Sequence, residues 1–275
     1  MVQRSESLFS LRRLAKMKII KVTWRYFINS LEQNISGPTV FLMFFVSKLI
    51  RYALFVSFLY YLGSGVKIIG GYTWEQMLFF YLVFILIDTI VQMFFREVYR
   101  FRQLVVSGGF DMVLTKPFPP LVRCLLGGPD YIDLGVLIIL LAVVSYYLTV
   151  YIHPTPINLI LFLLMLGNTF IVATAFHIMV LAIGILTLSV DHLIMVYRDL
   201  TALVRIPVDL FTEPVRSLIT FVVPVGLMFT FPAKTLLGLL SWRMIIISLG
   251  FGIIYFFLAL KFWHFALKSY SSASS

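Results

Sequence analysis

The sequence predicts an all-α polytopic membrane protein, and two features of its composition carry that prediction. The 275-residue chain is 61% hydrophobic and only 12% charged, with a mean hydropathy of +1.00. Soluble domains average about 25% charged residues, so the composition excludes an ordinary water-soluble domain. Apolar runs of about 18 residues or more are typical of membrane spans, and several such runs follow one another here.

Residues 1–37 are predicted to be a basic arm that contains an amphipathic helix. Its apolar side chains recur at three- and four-residue spacing, which places them on one helical face. They are Met17, Ile20, Trp24, Phe27, Ile28 and Leu31. Cations on the adjoining face favour a helix lying in the membrane interface; a solvated cytoplasmic helix is the alternative.

Hydropathy predicts five clear spans, and a sixth must be chosen from two candidates. The clear spans cover residues 39–62, 74–95, 130–151, 157–189 and 242–263. The first candidate, residues 188–211, has helical periodicity but is charged. The second, residues 214–237, is more apolar but is interrupted by Pro224 and Pro232. Hydropathy alone favours the second, and one further crossing places both termini on the same side.

The positive charges fall mainly on one side of these spans. Sixteen of the 22 lysines and arginines lie in the N-terminal arm, the first span, the 96–128 loop, and the C-terminal end, which comprises Lys261 and the predicted cytoplasmic tail, residues 264–275. Because Lys- and Arg-rich segments stay in the cytoplasm, both termini and this loop are predicted to be cytoplasmic. The same bias explains the net charge of +10 without nucleic acid as a partner.

The longest interruption between spans is the loop Arg96–Gly128. It carries Arg96, Arg100, Arg102, Lys116 and Arg123. An apolar strip beside the first three cations predicts a short amphipathic helix, which Gly108 and Gly109 end because glycine readily adopts a left-handed cap. A second short turn and the Pro-Phe-Pro-Pro run that begins at Pro117 follow. Two short helices on a proline-buttressed loop are suited to passing on rigid-body motion.

Catalytic and nucleotide-binding motifs are missing from the sequence. The four histidines lie far apart, and the single cysteine, Cys124, excludes an internal disulfide and a zinc cluster of cysteines. No G-x-x-x-x-G-K-[ST] phosphate loop is present, so the chain is not expected to bind and split ATP by that route.

Charged residues inside the first two spans predict an intramembrane ion pair. Lys48 lies about 15 Å into the first span from its cytoplasmic end and Asp88 about 10 Å into the second. Because a mid-membrane charge costs roughly 2.5–3.5 kcal/mol, we predict that Asp88 pairs with Lys48, with Arg51 one turn farther along. The pair serves either to hold two helices together or to line a substrate path. His177 is predicted to hydrogen-bond a neighbouring helix.

Three motifs in order resemble the ABC-2-type permeases, the membrane subunits of type V ABC exporters. The first is the amphipathic N-terminal helix, which is similar to that family's elbow helix. The second is G-G-F-D-x-V-L-x-K-P-F-P-P after the second span. The third combines R-I-P-V-D-L-F with V-V-P-V-G-L-M-F-T-F-P-A, and it is similar to the multidrug or daunorubicin-resistance-like branch.

The resemblance implies an architecture and a set of functional residues. Residues 188–211 become the fifth of six transmembrane helices, and residues 214–237 become a re-entrant hairpin in the outer leaflet. The 96–128 loop becomes a cytoplasmic coupling loop that docks an ATPase, with contributions from Arg96, Arg100, Arg102, Gly108, Gly109, Asp111, Lys116 and Pro117. The charged residues of the fifth span become candidates for a dimer pathway; they are Asp191, Arg198 and Asp199.

The resemblance also implies partners and a location. ATP and Mg would be bound by separate ATPase subunits and no cofactor by this chain, and a second permease subunit, identical or paralogous, would complete a dimer in the bacterial inner (plasma) membrane. The substrate moved outward would be lipid-like, amphipathic or drug-like. Two other classes compete. A membrane-embedded lipid-modifying enzyme needs clustered His, Asp or Glu, and a secondary transporter is expected to show repeats.

Overall fold

A computed structural model describes residues 19–30, 32, 38–65, 68–187 and 190–270. The first 18 residues of the basic arm, residues 33–37 between that arm and the first span, and the tail from residue 271 lie outside the described residues. The helices in chain order are α1 (19–30), α2 (Pro38–Gly65), α3 (Trp74–Phe95), α4 (Phe101–Val106), α5 (Gly109–Leu114), α6 (Pro120–Leu126), α7 (Tyr131–Tyr147), α8 (Pro156–Thr187), α9 (Val190–Leu203), α10 (Val215–Ser217), α11 (Val225–Leu236) and α12 (Trp242–Lys268).

Shorter elements connect these helices. Strands β1 (Ile68–Ile69) and β2 (Tyr72–Thr73) pair antiparallel in a hairpin between α2 and α3. One turn of 3-10 helix at Arg96–Arg100 joins α3 to α4, and another lies at Val208–Leu210. Single π-helical turns follow α7 at Leu148–Ile152 and α10 at Leu218–Val222. We call the side of the bundle with β1 and β2 the hairpin end, and the side with α4, α5 and α6 the loop end.

The helix content confirms the all-α polytopic class. Within the described residues, five helical stretches are long and apolar enough to cross a membrane: Pro38–Gly63, Trp74–Val106, Tyr131–Ile152, Pro156–Thr187 and Trp242–Lys268. Their starts lie within a residue or two of the predicted starts, because the length of an apolar run is visible in the sequence. The second stretch continues well into the predicted loop.

Helix α3 forms the centre of the bundle. Thr73 and Gln76 make a reciprocal capping box at its start. Its side chains are buried on every face, as the consecutive buried residues Phe79, Phe80, Tyr81 and Leu82 show. In the apolar segment of the stretch that begins with α3, 78% of the residues are buried, whereas in the apolar segment of α2 only 6% are. A helix that is apolar all round suits a central position, whereas α2 leaves most of its surface for lipid or another chain.

A polar contact joins α8 to α12 inside the bundle. The side-chain amide of Asn168 donates to the carbonyl and the hydroxyl of Ser248, each at 3.0 Å. Gly252 makes this approach possible, since a Cβ there would lie 2.1 Å from Asn168 Oδ1. Thr169 on the same helix donates to the carbonyl of Met228 in α11 at 3.0 Å. Buried hydrogen bonds of this kind fix the neighbours of a membrane helix.

The charged candidate for the fifth span forms a helix of only 14 residues, α9, about 21 Å long. Three contacts locate α9 and the residues that follow it within the bundle. Near the loop end Tyr197 lies 5.4 Å from the ring of His177, which itself stacks on Phe95. Beyond α9, Arg205 lies over the ring of Phe55 in α2. At the hairpin end Asp209 accepts a hydrogen bond from Tyr72.

The apolar candidate is bent sharply in the middle. Val215–Val222 and Val225–Leu236 meet at 94°, at a break that contains Pro224. Both ends of this bent pair lie near the hairpin end, where Asp209 is. Lys234, in the last turn of α11, pairs with Asp209 at 3.0 Å. Arg216, in the first turn of the pair, lies only seven residues after Asp209 in the sequence. Halfway along α11, Phe229 packs on Phe84 of α3 at a ring distance of 4.9 Å. The bent pair therefore packs against α3 and is not one straight helix.

Candidate functional site: a charged cavity and a loop surface

A cavity of about 830 Å³ opens between α2, α3 and α9. Pockets that bind small molecules typically measure about 300–1,000 Å³. Its aromatic lining consists of Tyr52, Phe55, Phe58, Tyr81 and Phe84. Its charged lining consists of Arg51, Asp88, Arg198, Asp199 and Arg205. The structure thus brings together four of the charged residues that the sequence singled out in three separate spans.

Two of the three arginines in the cavity contact aromatic rings. The guanidinium carbon of Arg51 lies 5.1 Å from the ring centre of Tyr52, and that of Arg205 lies 5.5 Å from the ring centre of Phe55. Within the described part of the chain, none of Arg51, Arg198 and Arg205 forms an ion pair. Their charges are therefore available to a bound molecule.

The predicted ion pair between Asp88 and Lys48 is wrong. Lys48 forms an ion pair with Asp133 at the start of α7, and Asp88 accepts a hydrogen bond from Gln92 at 2.6 Å. Depth alone does not decide the partner, because side chains at similar depths on neighbouring helices can face different elements. Lys48 faces α7, where it meets Asp133, whereas Asp88 lines the cavity together with Gln92.

His177 also departs from its prediction. Its Nδ1–H donates to the carbonyl of Ala173 in its own helix at 2.7 Å, not to a neighbouring helix. The imidazole ring instead packs on other elements, with Phe95 stacked 4.5 Å away. Four residues separate His177 from Ala173, so the ring satisfies a carbonyl one turn back and serves as an aromatic packing group.

Sequence reasoning missed Arg205 as a member of the cavity. The chain leaves the helix at Leu203 and turns before Pro207, and this turn carries Arg205 back toward α2. Helical periodicity gives no direction for a residue beyond the end of a helix. The only signal was a third cation in the same charged segment as Arg198. The side chain of Asp191, a predicted pathway residue, lies outside the described part of the structure.

The loop between α3 and α7 is held together by a buried acid that the sequence did not single out. Glu97 is 8% exposed; it pairs with Arg123 of α6, and Arg100 lies 3.6 Å away. Gly128 lies against this group, because a Cβ there would come within 2.5 Å of Glu97 Oε2. The glutamate therefore ties α6, a helix the sequence did not predict, to the end of α3.

The residues predicted to dock an ATPase have two different environments. Arg96 is engaged by Asp130 at 3.4 Å and Arg100 by Glu97. Gly108 has φ +74°, the left-handed conformation expected of it, and Gly109 begins α5. The outward-facing members are Arg102, Lys116 and Pro117.

Asp111 is tied to the C-terminal end of the last helix. Its carboxylate accepts a hydrogen bond from the hydroxyl of Tyr270 at 2.9 Å, and the ring of Phe110 meets Tyr270 edge-on at 5.1 Å. Helix α5 thus contacts the chain that follows α12. The apolar side chains of the loop that remain most exposed are Val106 (59%) and Met112 (68%), followed by Leu114 (37%).

A second charged group closes the hairpin end. Asp209 accepts from Tyr72 at 2.7 Å and from Lys234 at 3.0 Å. Burial works against ionisation of Asp209, but these two hydrogen bonds outweigh it and hold the pKa of Asp209 below its usual range. The group fastens the β hairpin to the segment before the bent pair, through Asp209, and to the last turn of α11, through Lys234.

Comparison with known proteins agrees with this architecture. The model of the ABC-2 family transporter proteins matches residues 18–274, nearly the whole chain. The searches of curated proteins and of solved structures return no match. The match covers all the described spans, the loop and the charged cavity. It does not distinguish branches within the family, so the multidrug or daunorubicin-resistance-like branch stays a prediction. The chain therefore belongs to the ABC-2 family of transporters, as a multi-pass membrane component of an ABC transporter.

Proposed function

We propose that this chain is the permease subunit of an ABC exporter that moves a lipid-like, amphipathic or drug-like substrate outward. The cavity between α2, α3 and α9 is the observation that carries the proposal. Ionisable groups within membrane spans usually face a cavity or a partner, and here five of them line one cavity that also offers aromatic walls. A second copy or a paralogous subunit facing α2 would enclose the cavity as a path.

The sidedness of the bundle follows from its charges. The loop end carries the cations of the 96–128 loop and the end of α12, so we assign the loop end and both termini to the cytoplasm. Exposed apolar side chains on α1, Ile20 and Trp24, suit a helix at the inner membrane surface. With this orientation, α9 is the fifth crossing and the bent pair is a re-entrant hairpin on the outer side. The setting is a bacterial inner membrane.

Separate ATPase subunits would supply the energy, since the family associates with ABC ATPases and this sequence has no phosphate loop. We assign their docking surface to the exposed parts of α4 and α5. Val106 and Met112 offer apolar contacts, and Lys116 offers a charge beside them. Movement of this surface would reach the spans along two routes, through Glu97 and Arg123 into α3 and through Asp111 and Tyr270 into α12.

Co-purification of the full-length tagged chain with its ATP-binding subunit from native membranes tests this assignment. Met112→Glu places a charge on the most exposed apolar side chain of the loop, so we expect it to reduce the ATPase recovered and the associated ATP hydrolysis by about tenfold. Ile68→Glu is the matched control, because Ile68 is equally exposed (63%) but lies at the hairpin end. Equal recovery with both variants contradicts the docking assignment.

A further inference from the structure

The arginines of the cavity point to the chemical class of what the cavity holds. Arg51, Arg198 and Arg205 come from two different segments of the chain and meet in one place. The cavity carries two acids as well, but Asp88 is occupied by Gln92 at 2.6 Å. Asp199, like the arginines, forms no ion pair within the described residues. Guanidinium groups therefore predominate among the charges open to a ligand.

Their position makes this excess of positive charge unusual. Arg51 stands at the middle of α2, about 20 Å from either end of the helix at 1.5 Å per residue. A charge at such a depth is costly and is normally paired. Lys48, on the same helix as Arg51, is paired in this way with Asp133 of α7. Arginine also binds phosphate and carboxylate in a bidentate manner, which makes it the usual residue for recognising these groups.

The other side chains of the cavity are suited to an apolar tail. Ile50, Leu54, Phe58 and Met195 extend the lining beyond the aromatic rings that contact the arginines. A molecule that places an anionic group among the guanidiniums would therefore have apolar walls for the remainder of its length. A free inorganic anion would use only the first of these two features.

We propose that the cavity binds an amphiphile whose headgroup is a phosphate or a carboxylate. This inference rests on the proposed function and narrows its substrate class to anionic amphiphiles. The arginines bind the headgroup, while the aromatic and aliphatic side chains of α2, α3 and α9 surround the tail. Asp88 and Asp199 limit the net positive charge, so that the bound anion can leave again.

Equilibrium binding of three probes to the purified full-length protein in dodecyl maltoside tests the proposal. The probes are dodecyl phosphate, dodecylphosphocholine and inorganic phosphate. We expect dodecyl phosphate to bind at least about tenfold more tightly than dodecylphosphocholine, because one charge-assisted contact corresponds to about that factor. Inorganic phosphate alone is expected to bind weakly. Equal binding of the two dodecyl probes, or tight binding of inorganic phosphate alone, overturns the amphiphile proposal.

Substitutions locate the binding in the cavity. Arg198→Gln is expected to remove most of the preference for dodecyl phosphate, and Arg198→Lys to retain part of it. Asp88→Asn is expected to tighten binding of the anion severalfold, because it removes a negative charge from the same cavity. Arg243→Gln makes the same charge change at the exposed start of α12 and is expected to have no effect. If Arg243→Gln weakens binding as much as Arg198→Gln does, the site is not this cavity.

The outcome can be separated from that of the proposed function. The ATPase association measured with Met112→Glu depends on the loop end and not on the charge of the ligand. Intact ATPase association without a preference for the anionic probe overturns the substrate class and leaves the transporter assignment in place. If the protein neither recovers an ATPase through the loop end nor prefers the anionic probe, the proposed function and the inference are both overturned.

Discussion

Lys48 and Arg51 lie one helical turn apart in α2 but have opposite environments. Lys48 is paired with Asp133, whose side chain is 2% exposed. Arg51 faces a cavity together with Arg198 and Arg205, and none of these three has an ion-pair partner within the described residues. The first arrangement neutralises charge inside the protein, which holds helices together. The second keeps charge for another molecule. Proximity in sequence says nothing about which role a cation has.

The largest effect is expected from breaking the neutralised pair. Asp133→Asn leaves Lys48 without its counter-charge in a poorly hydrated place, which typically costs about 3–5 kcal/mol. Thermal unfolding of the purified protein measures the loss. Asp130→Asn is the matched control, because Asp130 engages Arg96, whose side chain is 40% exposed, and such pairs contribute about 1 kcal/mol or less. Equal destabilisation by the two variants would remove the distinction between buried and open cations.

A smaller effect is expected from the buried acid of the loop. Glu97→Gln weakens its contacts with Arg123 and Arg100 and is expected to cost about 1–3 kcal/mol. The loss should be local, so hydrogen exchange of α6 rises while that of α8 stays slow. Glu213→Gln, in an exposed pair with Arg216, provides the comparison and should leave α6 unchanged. If exchange of α6 does not respond to Glu97→Gln, the glutamate does not fasten α6 to α3.

The open cations should contribute little to folding. Arg51→Gln is expected to change the free energy of unfolding by no more than about 0.5 kcal/mol, because it removes no ion pair. Lys48→Gln, three residues earlier, should destabilise the protein severalfold more. In the complex with its ATPase, Arg51→Gln should instead lower substrate-stimulated ATP hydrolysis. A strongly destabilised Arg51→Gln protein with normal hydrolysis would reverse the two roles.

The smallest effect is expected at the hairpin end, where acid should loosen the contacts of Asp209. The pKa of Asp209 is held below its usual range, so its contribution to stability is complete at neutral pH and is lost only as the pH falls through that lowered value. Hydrogen exchange of the β1–β2 hairpin should therefore stay slow in mildly acidic buffer and rise in stronger acid. Asp209→Asn should abolish this dependence. An unchanged acid response in Asp209→Asn would assign the effect to another group.

The span boundaries could be predicted from sequence because apolar length and the breaks between runs are properties of the sequence itself. The left-handed glycine at Gly108 follows from the same local chemistry. The partner of Lys48 could not be predicted from depth alone, since it depends on how α2, α3 and α7 are rotated about their axes and therefore on which neighbour each side chain faces. Arg205 enters the cavity through a turn after α9, and no helical pattern describes that position.

Helix α6 was missed for a related reason. Four residues that include three prolines argue against a helix at this point, yet Pro120 occupies the first position of α6, where proline is well tolerated. Its packing depends on Glu97, 26 residues away from Arg123. A contact of this separation is decided by tertiary structure.

Water access to the cavity tests the central claim most directly, and the chain provides a favourable background. Cys124 is buried, and burial raises its pKa to about 12, so its thiol should react slowly. A cysteine introduced at Ala202 lines the cavity, whereas one at Ile254 lies on the exposed apolar surface of α12 (62% exposed).

We predict that Ala202→Cys in membranes is modified by a water-soluble sulfonate thiosulfonate about tenfold faster than by its trimethylammonium counterpart, because the arginines attract the anion. Ile254→Cys should react with neither reagent. If Ala202→Cys is as unreactive as Ile254→Cys, the space between α2, α3 and α9 is filled by lipid or protein and is not a substrate path.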